Sequence, residues 1–191
     1  EYRSAAALEG FLKKHGFDVE SGIAGMPTAF VATWGKGEPT IGFLGEYDAL
    51  PGVSQKVSWE KEELTPGGSG HGCGHNLLGV GSAAAAVALK EELVGRGIEA
   101  TIKYFGCPAE ENFSGKAFMA RDGYFHGLDV CLTWHPGSMN IVRGGSSLAV
   151  KSMVVTFHGI ASHAGGAPHL GRSALDAVEI MNIGANYLRE H

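Results

Sequence analysis

Three apolar runs in this chain each end in residues that carry chemistry, and this pattern constrains the fold more than any other feature. Residues 40–45 run into Glu46-Tyr47-Asp48, residues 100–106 into Cys107-Pro108-Ala109-Glu110-Glu111, and residues 128–134 into His135-Pro136. Each run has the length and apolar content of a strand. Helices are expected between them, over 76–93 with Asn76 as its cap and Gly95 and Gly97 at its end, and over 116–121 with Gly123 behind it. Strands alternating with helices predict an α/β fold, a mostly parallel sheet sandwiched by helices. In open sheets of this kind ligands bind beyond the carboxyl ends of the strands. Carboxylates and a histidine stand at those ends.

The flanking segments are read in the same way. An opening helix over 2–15 stops at Gly16, a position suited to a left-handed residue after Lys13, Lys14 and His15. Residues 29–34 form a further strand, joined to 40–45 by a hairpin-like turn over 35–39. Residues 50–74, with Pro51, Pro66 and many glycines, read as loop. After Pro136 the character changes. Residues 148–158 read as a long alternating strand, 162–171 as a Gly/Pro/His-rich loop, and 173–188 as an amphipathic helix with Ser173 and Asp176 in capping spacing. A boundary is expected within 140–147, dividing the chain into domains 1–143 and 144–191. The second is too small to bury a core alone, and the chain opens on helical sequence without a Met, so a fragment of a longer protein is expected.

The net charge is −5 and no Lys/Arg cluster occurs, which argues against nucleic acid as a partner. No apolar run reaches ~18 residues, so no membrane span is expected. The three cysteines, Cys73, Cys107 and Cys131, are scattered and odd in number. They fit a reducing cytoplasm better than a disulfide scaffold. Cys107 and Cys131 fall in strands and read as buried small hydrophobes.

Nine histidines against 15 Lys+Arg suggest that histidine is used for chemistry. The sharpest cluster is His71-Gly72-Cys73-Gly74-His75. Thiolate, imidazole and carboxylate are ligands of zinc and neighbouring metals, and a glycine-rich loop can close tightly around an ion. Other readings stay open at this point. The loop can be a turn with incidental side chains, Cys73 can be a nucleophile with a histidine base, and Glu46, Asp48 and His135 can be ordinary loop and capping groups. Against the nucleophile, catalytic Cys/His pairs usually come from separate elements.

The stretches HGCGHNLLGVGSAAAAVALK, YFGCPAEENFSGKAFMARDGYF, LTWHPGS and EYDALPG resemble the M20 metallopeptidase and amidohydrolase family. The likeness is to its subgroup in which a cysteine replaces the bridging aspartate. The stretch GIASHAGGAPHLGRSALDAVEIMNIGANYLREH is similar to the opening of that family's lid, or dimerisation, domain. The resemblance implies a zinc-exopeptidase-like catalytic domain followed by a truncated α+β lid. It implies hydrolysis of the amide of an N-acyl amino acid or similar aminoacyl conjugate, with two divalent ions, Zn²⁺, Mn²⁺ or Co²⁺. Cys73 would bridge or bind the ions, with His75, Glu111 and His135 as further ligands. Glu110 would be the general base, Asp48 would orient a ligand, and His163 would reach the reacting carbonyl from the lid, in the site of the partner protomer. A small-molecule amide as substrate follows from the resemblance, as does a homodimer, or a hetero-oligomer with a related subunit, through the lid.

His71 and Glu46 gain no role from the resemblance and are expected not to be ligands. Ser173 stands where the family usually has Asn, and His191 does not match the family's last metal-binding histidine. The ligand set, and with it the activity of residues 1–191 alone, is therefore expected to be incomplete. A dipeptidase or aminoacylase of other specificity and a non-catalytic metal-binding subunit are the alternatives. The presence of both Glu110 and Glu111 favours an enzyme.

Overall fold

The computed structural model describes residues 1–142 and 144–190. The chain divides into two compact units, Glu1–Asn140 and Ile141–His191.

The first unit is built on five strands: β1 (Asp18–Ser21), β2 (Phe30–Gly35), β3 (Thr40–Glu46), β4 (Thr101–Cys107) and β5 (Val130–Leu132). Their order in the sheet is β1-β2-β4-β3-β5. β3 pairs in parallel with both β4 and β5, and β2 runs antiparallel to its neighbours β1 and β4. Only β2 is reversed, so the sheet is mostly parallel, as expected. The register sets Glu46 opposite Cys107, which levels the carboxyl ends of β3 and β4.

The period-2 alternation of a strand sends neighbouring side chains to opposite faces. From β2 and β4, Phe30, Ala32, Ile102 and Tyr104 pack on one face against α1 (Tyr2–Lys14) and α2 (His75–Arg96). Val31, Phe105 and Cys107 pack on the other against Met119 of α4 (Gly115–Arg121). α1 buries Ala5, Leu8 and Leu12, and α2 buries His75, Leu78, Gly79, Ser82, Ala83, Ala86 and Val87. Both sets follow the three-and-four spacing of a helix stripe. The Tyr104 hydroxyl donates to the Gly79 carbonyl at 3.0 Å and ties β4 to α2. Gly16 takes the expected left-handed conformation after α1.

Several expectations need correction. β2 and β3 form no hairpin, because β4 lies between them. Ile102, Tyr104 and Phe105 of β4 are fully buried, and a place at the sheet edge would expose them. α2 starts at His75 and is capped by Gly74, not Asn76. The short strand β1 and a one-turn helix α3 (Glu110–Phe113) carry no signal strong enough to be expected. β5 covers only three residues at the sheet edge and none is buried, so Cys131 is exposed while Cys107 is buried as expected. No helix among the described residues is long and apolar enough to cross a membrane.

In the second unit the helix forms and the strand does not. α5 (Ala174–Tyr187) is capped as expected, the Ser173 hydroxyl accepting from the Asp176 N–H at 3.1 Å. Residues 148–158 are not in a strand. The one β-bridge among the described residues of this unit joins Ile160 to Arg172. A strand's hydrogen bonds all go to another segment, and among the described residues of this unit none pairs with 148–158.

Candidate metal centre

The first donors stand beyond β3. Asp48 is buried, and its two oxygens reach two different elements. Oδ1 lies 2.8 Å from His75 Nδ1, and Oδ2 accepts from the Glu111 N–H at 2.9 Å. A carboxylate can only accept. His75 Nδ1 therefore donates, and the neutral ring carries its lone pair on Nε2. This is the arrangement by which a second partner fixes a ligating histidine.

His135, beyond β5, is arranged in the same way. Its Nδ1 donates to the Pro136 carbonyl at 3.0 Å, which leaves Nε2 as the lone-pair atom, 3.2 Å from Cys73 Sγ. The two rings meet edge to face with centroids 5.8 Å apart. Gly74 makes this approach possible. Its φ of +80° favours glycine, and a Cβ there would stand 2.7 Å from the Pro136 ring.

The ligand atoms of Cys73, His75 and His135 all lie within 4.8 Å of one another, as do those of Glu46, His75 and Glu110. Glu111 Oε1 is 3.9 Å and Glu110 Oε2 is 4.0 Å from His75 Nε2. The two glutamates differ in burial, with side-chain exposures of 18% for Glu111 and 39% for Glu110. They sit on α3, which is bracketed by Ala109 at φ +53° and Ser114 at φ +50°. Left-handed backbone at a residue with a Cβ costs about 1–2 kcal/mol, and such strain collects at functional sites.

The donor set fits a divalent cation. His75 Nε2 and Glu111 Oε1 are buried without a hydrogen-bond partner. Each unsatisfied group of this kind costs about 1–3 kcal/mol, and a cation would satisfy both. Thiolate and imidazole suit Zn²⁺, and carboxylate oxygens also suit Mn²⁺. Partial burial, followed by the carboxylates of Glu111, Glu110 and Glu46, raises the Cys73 thiol above its ordinary value. Reactive cysteines sit in electropositive surroundings, and those of Cys73 are the opposite.

Cys73, His75, His135, Glu110, Glu111 and Asp48 are thus brought together from residues remote in sequence. Glu46, expected to stand aside, is buried among them. Its place at the end of β3, two residues before Asp48, agrees with this but does not by itself tell a buried carboxylate from a solvated one. His71 instead lines an apolar cavity of about 380 Å³ between α1 and α2, together with Tyr47 and Asn76. His163 belongs to the second unit, where its Nδ1 accepts from the N–H groups of Gly165 (3.1 Å) and Gly166 (2.9 Å). Its ring proton is thereby placed on Nε2.

Comparison with known proteins gives the family. The chain is 47% identical over its whole length to a p-aminobenzoyl-glutamate hydrolase subunit of Escherichia coli (strain K12), covering 40% of that protein. It is 34% identical to Xaa-Arg dipeptidase of Mus musculus over 87% of this chain and 37% of that one. The chain thus spans well under half the length of these relatives. Among solved structures, the Bacillus subtilis YXEP protein, described as a dinuclear metal-binding peptidase of the M20 family, superposes with a TM-score of 0.52 at 20% identity. The match covers 68% of this chain and 35% of that one, and shows the shared fold. The family model Peptidase family M20/M25/M40 matches residues 42–184, which include every strand-end carboxylate and histidine described above. By that match, the chain belongs to peptidase family M20/M25/M40.

Proposed function

We propose that this chain carries the metal-binding half of an amidohydrolase that cleaves an N-acyl amino acid, with p-aminobenzoyl-glutamate or a similar aminoacyl conjugate as substrate. One observation carries the reading. Two histidines, each with Nδ1 tied to an acceptor-only oxygen, present Nε2 lone pairs beside Cys73, and the buried Nε2 of His75 has no partner. Cys73, His75, Glu111 and His135 are the residues that would hold two divalent ions, Zn²⁺, Mn²⁺ or Co²⁺. A bound divalent ion supplies Lewis acidity toward the amide carbonyl and lowers the pKa of water.

The chain's own residues do the rest. Asp48 fixes the His75 ring and, through the Glu111 N–H, the start of α3. Glu111 is the more buried glutamate and has the orphaned oxygen, which suits a ligand. Glu110 is the more open one, which suits a general base that takes a proton from water at its carboxylate and returns it to the leaving nitrogen. His163, with its proton on Nε2, is a hydrogen-bond donor suited to the oxyanion of the tetrahedral intermediate. The 47% identity to one subunit of a hydrolase supports an assembly with a second protomer through the lid, as a homodimer or hetero-oligomer. Three unpaired cysteines fit a cytoplasmic setting.

The 34% identity to a dipeptidase favours one second reading, a dipeptide as substrate. A protein spanning the relatives' full length, loaded with Zn²⁺ or Mn²⁺, should be assayed on p-aminobenzoyl-glutamate and on Xaa-Arg dipeptides. Release of p-aminobenzoate supports the first reading. Cleavage of dipeptides alone supports the second, and hydrolysis of neither substrate contradicts both.

A further inference from the structure

Glu46 is the one buried carboxylate at the centre to which neither the family resemblance nor the mechanism gives a task. Its side chain is 9% exposed. One oxygen, Oε1, is taken by the Lys116 ammonium, and the other, Oε2, lies 3.0 Å from His75 Nε2. That contact lacks the alignment of a hydrogen bond, for His75 Nε2 has no such partner. These two atoms stand 3.0 Å apart in a buried place without an aligned hydrogen bond between them. Such an approach calls for positive charge against both atoms, which a metal ion bound by both supplies. Ligand atoms on one ion, at bond lengths of about 2.0–2.2 Å, stand roughly 3 Å apart, which is the spacing observed. A Glu110 carboxylate oxygen lies within 4.8 Å of both atoms, where a base beside a bound ion would stand.

Lys116 is delivered to Glu46 by the fold. It follows Gly115 at the start of α4, and a Cβ on Gly115 would stand 2.1 Å from the Pro108 carbonyl oxygen. α4 therefore begins pressed against the end of β4, and the Lys116 side chain, 30% exposed, reaches the end of β3. Cys73, Glu46, Asp48, Glu110 and Glu111 are anionic or become so with a cation. Lys116 is the one lysine or arginine ion-paired with any of them among the described residues.

We infer that Glu46 is a further metal ligand through Oε2, and that Lys116 is the positioning residue that holds it by Oε1. This rests on the metal-centre reading above and extends it by a ligand outside the expected set. A lysine that merely neutralised Glu46 would compete with the ion, whereas a positioning lysine helps to bind it.

The test is titration of Co²⁺ alone into a protein spanning the relatives' full length and into its Glu46→Gln, Lys116→Met, Lys116→Arg and double Glu46→Gln/Lys116→Met variants. Affinity and visible d–d bands are the readouts. Loss of an outer partner of a metal ligand typically weakens affinity about 10–100-fold. Lys116→Met should lose that much, Lys116→Arg should recover most of it, and Glu46→Gln should lose at least as much and alter the d–d bands. The double variant, in which no buried charge is left unpaired, should bind no more weakly than Glu46→Gln. Unchanged bands and affinity in Glu46→Gln, or unchanged or tighter binding in Lys116→Met, overturn the inference while the metal centre stands. Failure of the unsubstituted full-length protein to bind Co²⁺ overturns the metal centre and this inference with it.

Discussion

The two units solve the same problem, satisfying a backbone, by different means. In Glu1–Asn140 the central strand β4 is hydrogen-bonded on both edges and buried on both faces, and it meets β2 in the register Phe30↔Gly106 to Gly35↔Thr101, across 66 to 76 positions of sequence. In Ile141–His191 the helix α5 forms with none of its residues buried, and residues 148–158 stay out of any strand. A helix closes its own hydrogen bonds and its cap lies within three residues. A strand depends wholly on other segments. The difference extends to the chemistry. The Glu46↔Cys107 register levels the strand ends that carry the donors, a long-range effect, whereas His163 is oriented by two glycine N–H groups within three residues.

The sharpest way to break this comparison is to separate metal binding from turnover in a protein spanning the relatives' length. Glu110→Gln should lower kcat by about 10²–10⁴-fold while elemental analysis finds the metal retained, whereas Glu111→Gln should lower metal occupancy. If Glu110→Gln loses the metal and Glu111→Gln keeps it, the two roles are exchanged. His163→Ala, in the second unit, should lower kcat by about 10²–10³-fold with metal content unchanged. Wild-type turnover in that variant would reduce His163 to a cap on its own turn.

Stability should divide along the same line. Ile102→Ala in β4 should cost about 2–5 kcal/mol in denaturant unfolding, as large-to-small core changes do. Ile180→Ala on the exposed surface of α5 should stay within about 0.5 kcal/mol. Equal losses at the two positions would mean that α5 is buried after all. The cap is a smaller matter. Ser173→Ala should weaken α5 by about 1 kcal/mol, seen as faster amide exchange in that helix with β4 unaffected. The smallest effect is expected at Ala109. Glycine there relieves left-handed strain but adds chain entropy, for a net gain under about 1 kcal/mol in thermal unfolding. A loss of stability would show that the strain reading of α3 is wrong.

What is legible in the sequence follows from the same physics. β3, β4, α1, α2 and α5 announce themselves through local periodicity, Gly16 and Gly97 through their place after a helix, and Ser173 through its spacing to Asp176. The order of the strands is not local. β2 and β3 are adjacent in sequence with a turn between them, and nothing within 35–39 says that β4 will insert. Cys131 misleads because an edge strand and a central one share the same apolar pattern. In the site, Cys73, His75, Glu110, Glu111 and His135 stand out as donors in motifs. Glu46 does not, because a carboxylate at the end of a strand looks the same whether it faces solvent or an ion. Only the contacts with His75 and Lys116 distinguish the two.

The central claim is that Cys73 is a metal ligand, in company with histidine nitrogens fixed from behind. Cobalt substitution tests it most directly, because a thiolate bound to Co²⁺ gives an intense sulfur-to-metal charge-transfer band in the near ultraviolet. The band should appear as Co²⁺ is added to the unsubstituted protein spanning the relatives' length, should be absent from its Cys73→Ser variant, and should rise in step with protection of Cys73 from alkylation. Co²⁺ bound without that band, with Cys73 still alkylated at the metal-free rate, would contradict the account.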